Sequence, residues 1–174
     1  MKTLYLERST GECRDGKWVE TLDLEGVERI VVGTGPGSFA GIRSALALAQ
    51  GYALATHCEV LGLPSACALA DEGRLAVVGD ARQGKFWIAL FDGMRLERDV
   101  FQVNQDELPG TIPGDYRVVT PDAKRIDELL RGLFGERYLG GQTPTGEGLR
   151  RFAEANPSVL KPEPLPIYLN PAVR

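Results

Sequence analysis

The sequence predicts an α/β fold in two small lobes, each opened by a β-meander and continued by strand–helix units. Three observations predict it. Over Ile30 to Cys58 a short apolar run meets a glycine-rich turn and then a long alanine-rich stretch, which reads as buried strand, tight turn, helix. The apolar runs Leu75–Gly79 and Lys85–Phe91 flank a polar turn and read as strands. Towards the C-terminal end the period of the apolar residues becomes helical. The first lobe is assigned to residues 1–70 and a reduced second lobe with a C-terminal tail to residues 71–174.

Composition bounds the function. The chain has 174 residues, 43% of them hydrophobic and 25% charged, enough for a core without disulfides or metals. A net charge of −4 with a pI near 5.1 argues against non-specific nucleic-acid binding, which needs a basic face. Cys13, Cys58 and Cys67 are an odd count without CxxC spacing, which suits structural thiols in a reducing compartment. No leader-like apolar segment opens the sequence, and no apolar run approaches the ~20 residues of a membrane span. A cytoplasmic location is expected.

In chain order, Thr3–Leu6 alternates as a strand. Glu12–Arg14, Asp15-Gly16 and Lys17–Leu24 read as a hairpin, making the first third a β-meander that feeds the Ile30 strand. In Gly33–Ser38 the glycines supply unusual backbone conformations and Pro36 fixes φ. Ser38 is placed to cap the helix Ala40–Thr56. Ile42, Ala45, Leu46, Ala49 and Ala53 share one face of that helix, while Leu48, Tyr52 and Leu54 widen its apolar surface. Such a helix is either buried between layers or pairs with something else. Glu59–Leu63 is a strand stopped by Pro64, and Ser65 caps a short helix to Ala70. Asp80–Gly84 is a polar turn closed by Asp80, with Arg82 in solvent. After Asp92-Gly93 the chain returns as a strand over Arg95–Val103. A helical turn over Gln105–Leu108, a strand Tyr116–Val119, and helices Pro121–Phe134 and Glu147–Ala155 follow, the last capped by Thr143 or Thr145. Pro157, Pro162, Pro164, Pro166 and Pro171 make the tail extended.

The glycine turn invites a phosphate at a helix N-terminus. It lacks the Lys-Ser/Thr of a P-loop. Gly35, Gly37 and Ala40 fit the loose dinucleotide pattern, but Pro36 sits between the glycines and Glu59 opens the following strand instead of ending it. A small nucleotide-binding enzyme using this turn is the alternative reading. Hydrolytic chemistry lacks its parts: His57 is the single histidine, at a helix end, Ser38 is not in a G-x-S-x-G elbow, and no metal-spaced cluster appears. No catalytic and no metal residue is assigned.

Gly35-Pro36-Gly37-Ser38-Phe39-Ala40-Gly41-Ile42-Arg43 resembles the GPGSFTGLR signature of the TsaB (YeaZ) family, differing only by alanine at 40 and isoleucine at 42. Ala49–Leu69, Asp80–Trp87 and Pro166–Pro171 are similar to three further family segments, in the same order. The resemblance implies an actin-like ATPase (ribonuclease H-like) fold in two lobes. It implies a non-catalytic scaffold that pairs with a TsaD-like catalytic subunit, joined by a TsaE-like ATPase. That complex adds threonylcarbamoyl to the adenosine beside the tRNA anticodon. No cofactor is expected on this chain alone, with ATP or ADP at the subunit interface. Homodimerisation through the same helix is a further option. On this reading Ile42, Ala45, Leu46, Ala49 and Ala53 contact the partner, and Gly35, Pro36, Gly37, Ser38 and Arg43 form a turn near the nucleotide. Two features depart from the family. Glu7-Arg8-Ser9-Thr10 stands where the family has Asp-Thr-Ser, and Thr10–Gly33 has no room for a long helix that the family uses in pairing. Older nomenclature places the family with the M22 glycoproteases.

Overall fold

A computed structural model describes residues 1–11 and 22–169. The expected hairpin of residues 12–16 and most of the returning strand fall outside the described residues, and Leu22–Leu24, which are described, are not in a strand.

The first sheet holds β1 (Lys2–Leu6), β2 (Val27–Gly33) and β3 (Glu59–Leu63), all parallel, with β10 (Lys161–Pro162) antiparallel on the β3 edge. Helix α1 (Phe39–Thr56) is the crossover between β2 and β3. β1 and β2 are parallel neighbours, the pairing that a crossover connection makes, and the expected meander between them falls mostly outside the described residues. Along β2, Ile30 and Val32 face α1 while Val31 faces the other way, so a strand covered on both sides is an uninterrupted apolar run.

In the second sheet β4 (Arg74–Arg82) and β5 (Lys85–Asp92) form a hairpin; β6 (Arg95–Leu96) and β7 (Phe101–Asn104) pair antiparallel with β5. A 3₁₀ turn (Gln105–Glu107) and the short helix α2 (Leu108–Thr111) lead to β8 (Arg117–Thr120), α3 (Ala123–Phe134) and β9 (Tyr138–Gly141). β8 is parallel to β4, and β9 to β8. This lobe opens with a meander. The expected single strand over Arg95–Val103 is two short ones. Strand β4 runs on through Asp80–Arg82, expected as a turn, with a register shift between Asp80 and Arg82.

The layers run α1, first sheet, central core, second sheet, α3. The central core joins Val31, Leu61 and Leu63 from one sheet to Leu75, Val77 and Phe91 from the other. Helix α4 (Gly146–Ala155) adds Leu149 and Phe152, whose ring meets that of Phe91 edge-on at 5.9 Å. Thr145 caps this helix, its hydroxyl accepting from Gly148 N at 3.1 Å. On the outer side of the second sheet, Ala76, Val78 and Val118 pack on Ile126, Leu130 and Phe134 of α3. No helix among the described residues is long and apolar enough to cross a membrane.

Gly79 pairs across the hairpin with Trp87, which is 2% exposed, and a Cβ on Gly79 would lie 2.0 Å from the indole. Gly79→Ala therefore overpacks a closed site, and we expect it to cost about 3 kcal/mol in urea unfolding. Combining it with Trp87→Leu, which removes the ring, should cost less than the sum of the two single changes. A stability loss below ~0.5 kcal/mol for Gly79→Ala would contradict this packing.

Candidate functional site

The glycine turn lies at the C-terminal end of β2, where parallel α/β sheets carry their sites. Its backbone is tied on every side. Thr34 donates from N and Oγ1 to Leu63 O at 2.8 and 2.9 Å. Gly35 N donates to Ser65 Oγ at 2.9 Å, and Ser65 N donates back to Gly35 O at 2.8 Å. Ser38 N donates to Ser9 O at 2.5 Å, and Ile167 N from the tail donates to Thr34 O at 2.8 Å. Gly41 N meets the Ser38 hydroxyl at 3.2 Å, so Ser38 caps α1 as its position predicts. Ser65 was expected to cap a helix. It opens the 3₁₀ turn Ser65–Leu69 instead, and its hydroxyl holds Gly35.

Two glycines of the turn are required by close approach of residues 8–11. A Cβ on Gly37 would lie 2.3 Å from Ser9 O, and one on Gly41 2.1 Å from Arg8 O. Gly35 adopts φ 91°, a conformation that suits glycine. The amides of Gly35, Ser38 and Gly41 are thus spent within the protein, and Pro36 has none.

Helix α1 lies with one face on its own sheet. Ile42, Ala45, Leu46 and Ala49 are buried against Leu6, Ile30 and Val32, and only Ala53 of the five expected contacts is half-buried. This corrects their assignment to a partner: the apolar stripe is the face that β2 and β1 cover, so a change at Leu46 perturbs the monomer core. The outward face carries Ala40, Ser44, Ala47 and Gly51, with Leu54 84% exposed. Alanines on both faces hid this face from periodicity. One flank is occupied by the chain itself, where Tyr52 donates to Leu24 O at 2.6 Å. Arg43 lies on the outside with its guanidinium 4.7 Å over the Phe39 ring. His57 ends the helix in a left-handed conformation, φ 60°, its N–H bonded to Ala53 O. Among the described residues no group of three His, Cys, Asp or Glu could hold a metal ion.

Opposite the turn stands the tip of the β4–β5 hairpin. Between them is a cleft of about 630 Å³, lined by Ser9, Ser38, Phe39, Arg82, Arg125 and Tyr168 among others. Asp80 Oδ1 accepts from Arg82 N at 2.8 Å, so Asp80 closes the hairpin tip as expected. Its other oxygen accepts from Arg125 Nε at 2.8 Å, and Arg125 also bonds Asp122 at 2.5 Å. Asp122 in turn accepts from Asp80 N at 2.9 Å. Burial pushes the Asp122 carboxyl above the ordinary range despite Arg125. The links from Asp80 to Asp122 and to Arg125 join residues more than forty positions apart and leave no local pattern, and Arg125 gave no signal in the sequence. The tail returns to the turn: Tyr168 lies 5.8 Å from Phe39, ring to ring.

Beneath the turn sits Glu7. Its Oε1 accepts from Ser9 N at 2.6 Å, whereas Oε2 is fully buried without a hydrogen-bond partner among the described residues. A Cβ on Gly33 would lie 1.8 Å from Oε2, so the carboxyl occupies the space that this glycine vacates. Burial pushes the Glu7 carboxyl up, and bonds from Ser9 and Ser65 offset only part of that rise.

Residues 20–101 match the family model described as TsaD, tRNA N6-adenosine threonylcarbamoyltransferase. Uncharacterized proteins of Mycobacterium tuberculosis and Mycobacterium bovis are 34% identical over 92 residues, 51% of this chain and 44% of theirs. The match thus spans less than half the length of these curated relatives. Among solved structures, YeaZ from Pseudomonas aeruginosa superposes with a TM-score of 0.65 at 21% identity, covering 88% of this chain and 80% of that one. A second, an uncharacterized protein with similarity to peptidase YEAZ from the same organism, gives 0.66 at 22% identity, covering 90% and 80%. The fold is therefore the actin-like, ribonuclease H-like one.

The raised Glu7 carboxyl sets a pH dependence. The folded chain holds a proton that the unfolded chain releases near the ordinary value of 4.5, so the contribution of Glu7 to stability falls as pH rises from there through its folded value. Glu7→Gln keeps the shape without the charge. We expect its unfolding free energy to vary less with pH above 4.5 than that of the native chain. Equal slopes in urea titrations at several pH values would show that Glu7 is charged in the fold.

Proposed function

We propose that this chain, TsaB/YeaZ-like in its fold and its glycine-turn signature, is a non-catalytic subunit of a tRNA-modifying assembly. It pairs with a TsaD-like catalytic subunit that places threonylcarbamoyl on the adenosine next to the tRNA anticodon. The observation that carries this is the outward face of α1. Ala40, Ser44, Ala47 and Gly51 are exposed small residues in one line, with Leu54 beside them, on the helix launched by the signature turn. Small side chains let a second helix approach closely, and α1 contributes no carboxylate and a single cation, Arg43, to oppose one.

The choice of partner rests on the family match. Residues 20–101, which include α1, fit a TsaD description, so a TsaD-like chain shares this architecture and offers an equivalent helix. Chemistry is left to that partner, since the amides of Gly35, Ser38 and Gly41 are spent on Ser65, Ser9 and Ser38. The same fact weighs against the alternative of a self-sufficient nucleotide enzyme. ATP or ADP in the assembly is held chiefly by the partner, and a TsaE-like ATPase belongs to the same proposal.

The experiment is size-exclusion chromatography with light scattering on the chain mixed with the TsaD-like protein of its source organism. We expect a one-to-one complex, and Ala47→Arg should split it into two peaks while leaving thermal unfolding of the monomer unchanged. Intact co-elution of Ala47→Arg would reject the helix face. Failure of the native chain to co-elute, or a mass twice that of the chain, would reject the heterodimer.

A further inference from the structure

We infer that the mouth of the cleft beside the glycine turn binds one unstacked nucleotide of a single-stranded RNA, its base on Tyr168 and its phosphate at Arg82. The inference does not depend on the partner assignment, because every group it uses belongs to this chain.

The aromatic side comes first. Tyr168 and Phe39 both line the cleft, and each is 57% exposed, unusual for rings in a well-packed chain. Phe39 braces Tyr168 at 5.8 Å with a 37° tilt, and the Arg43 guanidinium caps Phe39 at 4.7 Å. The backbone just before Tyr168 is anchored, since Ile167 N is bonded to Thr34 O. A ring fixed from behind and open in front is what base stacking uses.

The anionic side faces it. Arg82 stands at the hairpin tip with φ 70°, its side chain 66% exposed and only 3.7 Å from the nearer Asp80 oxygen. The carboxylates of the wall, Asp80 and Asp122, are both engaged by Arg125. Among the described residues the first-lobe wall contributes Ser9, Thr10, Gly11 and Pro36–Phe39, without an acid.

Two features narrow the ligand. A triphosphate needs a cradle of free amides or a metal, and the turn has spent three amides, with no three-ligand cluster among the described residues. A duplex keeps its bases stacked on one another and has no face to offer Tyr168. With a net charge of −4 the chain cannot track a long backbone, so the contact is confined to this one nucleotide. The cleft of about 630 Å³ holds a single nucleotide with room for its neighbours to leave.

The test is fluorescence anisotropy of a labelled adenosine-rich octaribonucleotide with the full chain, competed by AMP, by Mg-ATP and by a duplex RNA. We expect saturable binding, with a salt slope of about −0.7, that of a single phosphate on a single strand. Tyr168→Ala should weaken it about five- to hundredfold, the range for losing one base stack. Tyr168→Phe should retain it, and Arg82→Gln should remove the salt slope. Both side chains are mostly exposed, so these variants should fold. No binding at millimolar chain, an unchanged affinity for Tyr168→Ala, or tighter binding of duplex or Mg-ATP would each overturn the proposal. So would binding of AMP without the octamer, which would make the ligand a free nucleotide. Loss of the TsaD-like partner on Tyr168→Ala with unchanged RNA affinity would assign the ring to the protein interface instead.

Discussion

The structure depends on the close approach of residues 8–11 to the start of α1. Arg8 O and Ser9 O lie where side chains on Gly41 and Gly37 would otherwise sit, and Ser9 O takes the Ser38 amide. This contact fixes the ends of β1 and β2 relative to the first turn of the helix. It also gives the glycine-rich turn a structural reason. The glycines serve the packing of one backbone on another, and the helix direction follows.

With that direction fixed, everything outward of α1 becomes available. The inward stripe closes the first core, the neighbouring flank is taken by Leu24 and Tyr52, and the remaining surface is small-sided. A surface of that kind has shape but little chemistry. The groups with chemical character, Arg82, Arg125, Asp80 and Asp122, cluster across the cleft on the second lobe, where they mostly neutralise one another. The chain thus carries a small-sided surface on one side and a cluster of charges on the other.

Much of the fold was legible in the sequence because its strands are covered on one or both faces. Leu75–Val78 and Phe86–Phe91 announced β4 and β5 through continuous apolar residues, and Ile126, Leu129, Leu130 and Leu133 marked α3, of which Ile126 and Leu130 are buried with Phe134 while Leu133 is exposed. Strands β9 and β10 were silent: Tyr138–Gly141 ends in two glycines, and Lys161–Pro162 lies in a proline-rich edge segment. For the site, Ser38 was legible because capping is local, whereas the Ser65–Gly35 bond joins residues 30 apart and was not. The orientation of α1 could not be read, because alanine is compatible with either face. Only packing against Ile30 and Val32 decides it.

The strand order has a consequence for how the molecule is made. The first sheet begins at residue 2, yet its fourth strand comes from Lys161–Pro162, and the core beneath it waits for Leu149 and Phe152. A ribosome delivers the chain from the N-terminal end. The earliest strands therefore emerge long before the residues that cover them, and the β3 edge stays open until Lys161–Pro162 has been made. The return of Lys161–Pro162 is what completes the sheet that was started first.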